Sequence, residues 1–356
     1  MMSGASGLNF NTKSDLVANN TATIAEKVGC VKSGDSQSAE TLTCLRETPF
    51  EVLTNLSVSM SRAARPPFGE GFFYPTYDGD YLLDRPTESM RAGKFVKGIP
   101  IITSWVTNDG AWYASPATAT DEEVLATFGP WLLNHSPSTK AKLLQLYPLA
   151  DFASMVRPDY DGPISPQYYR AAQINRDLWF TCPVIDFAWQ YAKHGNANPS
   201  DIWLYEHNST RFTPVYETIG VPMWRVSHLS DIPYAFNNQQ LSGGADNSAA
   251  QLVLSKAFSR RIVKFIVSGA PDQIDNDKDA WPPAFAGVTT QDLKDEYPSQ
   301  LSFKLTGGHY REGPVTITKT PSKPPSTEPE KAAYWEKLFE RCEFINSPTV
   351  RLESGV

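Results

Sequence analysis

In the stretch VPMWRVSHLSDIPYAF, residues 221–236, an apolar run from Val221 to Val226 gives way to His228. A polar turn with Asp231 follows before aromatic residues resume. A histidine released from the end of a buried strand is well placed as a general base, because imidazole exchanges its proton near neutral pH. The plain alternative is a histidine on a surface loop. A second apolar run, in GIPIITSWVTNDG (98–110), also ends in a turn and carries Asp109. Taken singly, Asn108-Asp109-Gly110 is a tight turn, since Asp-Gly is a standard turn pair. Jointly, an acid and then a histidine at two strand ends make two thirds of a hydrolytic triad.

The flanking sequence supplies elements able to position such a pair. Ile99 to Trp105 lacks polar alternation, which predicts a strand buried on both faces of a parallel sheet. Asp201 to His207 and Val221 to Val226 predict two more strands. Residues 301–319 predict a hairpin around Gly307-Gly308, with Phe303 and Leu305 answered by Val315 and Ile317. Thr120 with Glu123 forms a capping box that opens a helix facing inward with Val124, Leu125 and Phe128. Another helix passes Lys142 and Leu146 and stops at Tyr147-Pro148. Ser165-Pro166 starts a third, and a fourth sets Val184, Phe187, Ala188 and Tyr191 on one face before ending at Gly195.

Between Asn247 and Gly269 the pattern Leu254, Phe258, Ile262, Ile266 predicts an amphipathic helix. A last helix carries Tyr334, Leu338 and Cys342 beyond a stiff Pro-rich connector at 320–329. Nearer the start, residues 12–62 read as short helices around a loop between Cys30 and Cys44, and residues 65–86 as turns between short extended pieces. Helices alternating with apolar strands predict an α/β protein, in which ligands gather beyond the carboxyl ends of the strands. No internal repeat and no clean domain boundary is visible, so residues 1–356 are read as one domain without a separate second one.

Composition narrows the partners. The chain has 356 residues, 41% hydrophobic and 20% charged, with a formal net charge of −7 and no basic cluster beyond pairs such as Arg260-Arg261. That balance argues against nucleic acid or an anionic membrane as the main partner. No apolar run approaches the roughly 18 residues a membrane span needs. There is no HExxH, no CxxC pair and no His/Cys/Asp cluster at ligand spacing, so neither a metal nor another cofactor is expected. His135, His194, His207 and His309 read as surface or structural, and Gly243-Gly244 as a loop. Asn19, Asn55, Asn134 and Asn208 head Asn-X-Ser/Thr sequons, a number that chance approaches. Cys30 and Cys44 are spaced for a disulfide in an oxidising compartment, with two reduced thiols as the alternative. Cys182 and Cys342, in helical contexts, read as buried free thiols.

Several segments together resemble the C-terminal portion of the carboxylesterase type-B family, the α/β hydrolases that include cholinesterases and fungal lipases. They are MMSGAS, the Cys30 and Cys44 pair, FYPTYDGDYLLDRP, GKFVKGIPIITSWVTNDG, DLWFTCP (177–183), SHLSDIPYAF and Trp281-Pro282, in the family's order. The resemblance implies an α/β-hydrolase fold, a secreted protein, and a carboxylic ester or lipid as substrate. It implies that Asp109, where most members have Glu, is the triad acid, that His228 is the base, and that Cys30 and Cys44 are bonded.

The sequence departs from that pattern at the nucleophile. No G-x-S-x-G precedes Asp109; the nearest approach, Gly4-Ala5-Ser6-Gly7, has the wrong spacing. The start, MMSGASGLNFNTKSD, resembles no signal peptide, and Met1 reads as an internal methionine of a longer frame. The expectation is a partial α/β hydrolase without the serine elbow and the oxyanion loop. Losing a triad nucleophile costs on the order of a millionfold in kcat, so this chain alone is expected to be inactive as an esterase. The alternative is a non-catalytic binding or scaffold protein of the same fold.

Overall fold

The computed structural model describes residues 2–3, 16–32, 34–64, 73, 79–128, 135–195, 198–238, 240, 247–271, 280–308 and 312–354. Ser6 with its glycines, most of 65–78, Asn134, Gly243-Gly244 and His309 lie outside the described residues. Two compact units emerge where the sequence marks no boundary: residues 87–354 with 1–9, and residues 10–86 with 355–356.

The larger unit is built on five strands whose spatial order follows the chain: β1 (Met2–Ser3), β2 (Ile101–Val106), β3 (Ile202–His207), β4 (Gln300–Thr306) and β5 (Gly313–Thr318). The first four run parallel, and β5 returns antiparallel to β4. Nearly every residue of β2 and β3 is buried, as their lack of polar alternation requires of strands covered on both faces. β2 starts two residues later than expected. Pro100 has no N–H to offer a ladder, and the Tyr191 hydroxyl takes over at exposed Ile99, accepting from its N–H and donating to its carbonyl. Val106 pairs with His207, so β2 and β3 end level and the chains leaving them begin side by side. In the hairpin Phe303 does face Val315, but Ile317 lies opposite Leu301, and Leu305 opposite Gly313.

The helix Pro166–Arg176, capped by Ser165, continues through one π turn, Asp177–Thr181, into the helix Cys182–His194. Its residues are buried almost all round, which marks it as a core helix. The helix Ala249–Ser268 turns Phe258, Ile262 and Phe265 toward Trp203, Tyr205, Tyr234 and Trp281. Ile266, expected on that face, is 71% exposed. Steps of four residues advance 400°, so two of them from Phe258 drift the side chain off the buried stripe and Phe265 replaces it.

The single last helix expected from the sequence is two, Glu328–Trp335 and Leu338–Ile345, broken at Lys337 with φ of 50°. At the break Glu336 meets Arg176 in the interior. Cys182 and Cys342 are not free thiols. They are fully buried, as expected, but joined in a disulfide with Cα atoms 4.9 Å apart. The partners are 160 residues apart, so no local spacing announced the bond. The smaller unit holds the helices Leu16–Lys27, Ala39–Glu47 and Phe50–Ala64, and within it Cys30 and Cys44 are bonded.

Candidate active site

The acid-bearing turn begins where β2 ends. The Thr107 N–H donates to the His207 carbonyl at 3.0 Å, and the Asp109 N–H turns back to Val106 at 3.1 Å. Gly110 follows because the turn sits directly on the helix Pro166–Arg176. A Cβ there would lie 1.9 Å from the Ala172 carbonyl oxygen and 2.3 Å from the Arg176 nitrogen.

The histidine-bearing segment is not the strand that its apolar run suggested. Pro222 lacks a donor, Pro222–Trp224 forms a 3₁₀ turn, and Arg225 takes a φ of 50°. His228 therefore leaves a loop, and the loop is registered by the acid turn itself. The Asn108 N–H donates to the Val226 carbonyl at 2.9 Å, the Val226 N–H donates to Asn108 Oδ1 at 3.3 Å, and Asn108 bridges Ser227. Beyond it, Ser227 bonds the Tyr216 hydroxyl at 2.6 Å, and Asp231 accepts from the Tyr205 hydroxyl at 2.7 Å.

Asp109 and His228, 119 residues apart, are thereby brought together: Nδ1 of His228 lies 2.8 Å from Oδ1 of Asp109. The second oxygen of Asp109 accepts the Val106 N–H at 2.6 Å. Asp109 is fully buried, and that burial raises its carboxyl above the ordinary value. The bond to His228, the charge on His228 and the Val106 N–H oppose the rise, while Asp231 adds to it. The His228 side chain is 22% exposed. With Nδ1–H donated to the carboxylate, the neutral imidazole keeps its lone pair on Nε2, the tautomer that accepts a proton from an approaching hydroxyl. Three rings wall the imidazole, with centroids at 4.8 Å for Phe180, 5.5 Å for Trp112 and 6.2 Å for Tyr113.

Trp112 and Tyr113 were visible in the sequence as residues just past the acid turn. Phe180 was visible only within the segment DLWFTCP, with no role attached, because the π turn that aims it leaves no periodic mark. Phe236, just past the histidine turn, is 72% exposed and does not pack in the core. Among the described residues, no group of three or more His, Cys, Asp or Glu gathers as a metal site would, and no helix is long and apolar enough to cross a membrane.

Comparison with known proteins gives the family. The model of the carboxylesterase family matches residues 1–308. The chain is 30% identical to the inactive carboxylesterase-like protein VdtD of Byssochlamys spectabilis over 67% of its own length and 41% of that protein's. It is 24% identical to a secreted lipase of Arthroderma benhamiae over 91% of the chain and 52% of the lipase. To the cholinesterase of Mus musculus it is 26% identical, over 74% of the chain and 42% of the enzyme. The chain thus spans about half the length, or less, of these curated relatives. Its mostly parallel, mixed sheet flanked by helices is that of an α/β hydrolase, and the chain belongs to the carboxylesterase family.

Proposed function

We propose that the whole protein is a carboxylic-ester hydrolase working through an acyl-serine intermediate. In this reading His228 Nε2 takes the proton of a serine hydroxyl as it attacks the ester carbonyl, then returns it to the departing alcohol. Asp109 holds the ring in the required tautomer and stabilises the imidazolium that forms. The observation that carries the reading is the 2.8 Å bond between a fully buried carboxylate and a partly exposed imidazole. No metal or organic cofactor enters the chemistry. Trp112, Tyr113 and Phe180 give the substrate an apolar approach, which suits an ester with an acyl chain or a lipid. Both units are read as parts of one hydrolase domain. An extracellular setting agrees with two disulfides and with exposed sequons at Asn19 and Asn55.

The serine is not in a G-x-S-x-G of this sequence. Accordingly, this polypeptide by itself is read as inactive, and hydrolysis belongs to a protein that carries such an elbow ahead of the acid. The test is to read the native transcript upstream of Met1 and to express the frame found there. With p-nitrophenyl acetate and butyrate, His228→Ala should lower kcat on the order of a millionfold and Asp109→Ala about 10⁴-fold. A second reading, a non-catalytic protein of the same fold, is favoured by one observation: a relative at 30% identity is named as inactive. Ester turnover that survives His228→Ala unchanged would rule out His228 as the base, whereas a folded whole protein with no turnover above that of His228→Ala would leave the second reading.

A further inference from the structure

Glu206 lies on β3 with its carboxyl buried, and the proton relay described above does not use it. It accepts a hydrogen bond from Thr107 Oγ1 at 2.7 Å, and Thr107 opens the turn that carries Asp109. The carboxyl of Glu336, from the break between the two C-terminal helices, lines the same cavity as Glu206 and acts on it as a neighbouring charge and hydrogen-bond partner. Two carboxyl groups bond each other only while one keeps its proton. Arg176 donates from Nη2 to Glu336 Oε2 at 2.7 Å, so of the two carboxyls it is Glu336 that holds the guanidinium. Burial first, and Glu336 second, push the Glu206 carboxyl up to about 8.

Arg176 continues the chain of contacts. Its Nε donates to Thr181 Oγ1 at 3.0 Å, next to the Phe180 ring that packs tilted against His228, and its backbone nitrogen is one of the atoms that leave no room beyond Gly110. One shared proton therefore braces both the turn that carries the acid and the π turn that walls the base. Both carboxyls face a cavity of about 810 Å³ whose other charged walls are Arg157, Arg225, Glu328 and Lys331. Lys331 pairs with Glu328 and Arg225 with Asp161, so the cation bound to the acid pair is Arg176.

We propose that Glu206 is a positioning residue for the Asp109–His228 pair: protonated and bonded to Glu336, it holds Thr107, and with it the acid-bearing turn, where Asp109 Oδ1 meets His228 Nδ1. The proposal rests on reading those two residues as a working pair. When Glu206 loses its proton to solvent, its carboxylate joins Glu336 and Asp177 around the Arg176 guanidinium, the bond to Glu336 opens and the turn loses its brace.

The test uses the 356-residue chain and the low-field proton resonance of His228 Nδ1–H, assigned by its loss in His228→Gln. In the wild type this proton should exchange slowly with water at pH 6.5, with an added acceleration above pH 8. Glu206→Gln keeps both hydrogen bonds, with its amide donating to Glu336, so it should match the wild type at pH 6.5 and lack the added acceleration. Glu206→Ala should exchange about tenfold faster at all pH values, the effect of one lost hydrogen bond. Thr107→Val, which leaves both acids in place, should do the same, and it decides the matter if Glu206→Ala does not fold. Wild-type exchange in both Glu206→Ala and Thr107→Val, or in Thr107→Val alone where the other is unfolded, overturns the proposal. Asp109→Asn is the separate control: a low-field resonance that survives it refutes the pairing of Asp109 with His228, whatever Glu206 does.

Discussion

A methyl group on Gly110 would strike backbone atoms of the helix Pro166–Arg176, and backbone atoms cannot rotate away as a side chain can. The φ of Gly110 is an ordinary −80°, so the constraint is approach and not a left-handed turn. Gly110→Ala should cost about 1–3 kcal/mol, as overpacking in a dense interior does. It should also pull Asp109 away from His228. Urea unfolding reads the first effect and the low-field Nδ1 proton the second; an alanine variant with wild-type values for both would mean that the turn is free to shift. The sequence suggests Gly110 only as a turn residue, because its actual neighbours, Ala172 and Arg176, come more than 60 residues later. Asp109 and His228 were legible for the opposite reason. Each is a polar break just after an apolar run, a local pattern that needs no knowledge of what packs against it. Glu206 shows the limit: at the end of an apolar strand it looks like any strand-end carboxylate, and its partner Glu336 is set by tertiary packing alone.

Elements were read well where periodicity is local and poorly where a partner decides. β2 and β3 announce themselves as runs without polar alternation, and the helix Ala249–Ser268 by Leu254, Phe258 and Ile262 at steps of four. Val221–Val226 has equal apolarity but no strand neighbour that could accept a proline in its ladder, so it folds as a 3₁₀ turn held by Asn108. The disulfide between Cys182–His194 and Leu338–Ile345 is the strongest long-range tie between elements. In the chain-entropy account, closing a 160-residue loop stabilises by about 5 kcal/mol and a 14-residue loop by about 3. The double variant Cys182→Ser/Cys342→Ser should therefore unfold at distinctly lower urea than Cys30→Ser/Cys44→Ser. The former should also loosen the π turn, since Cys182 follows Thr181 directly. Equal midpoints for the two variants would mean that loop length does not govern here.

At the scale of the whole molecule, an α/β sheet was predictable from alternating patterns, and so was the approach of Asp109 to His228 at its carboxyl edge. The pH response was not, because it depends on which ionisable groups end up buried, and two of them pull in opposite directions. His207, fully buried and bonded through Nδ1 to Thr306, is lowered by burial from 6.5 to about 4. Between those values the unfolded chain takes up a proton that the folded chain refuses, so its contribution is complete above pH 6.5 and is lost as pH falls toward 4. Glu206, raised from 4.5 to about 8, does the reverse: the folded chain keeps a proton that the unfolded chain gives up. Its contribution is complete below pH 4.5 and is lost as pH rises toward 8. From 4.5 to 6.5 the two slopes oppose each other. Above 6.5 only the Glu206 slope of this pair remains, a decline of up to about 1.4 kcal/mol per pH unit that levels off past pH 8. Urea midpoints taken at half-unit steps from pH 4 to 9 should show the wild type falling relative to Glu206→Gln from 6.5 to 8, and His207→Gln losing the acid-side decline. Parallel wild-type and Glu206→Gln curves would mean that Glu206 is ionised in the folded chain at neutral pH, and Arg176 would then be holding Glu206 besides Glu336 and Asp177.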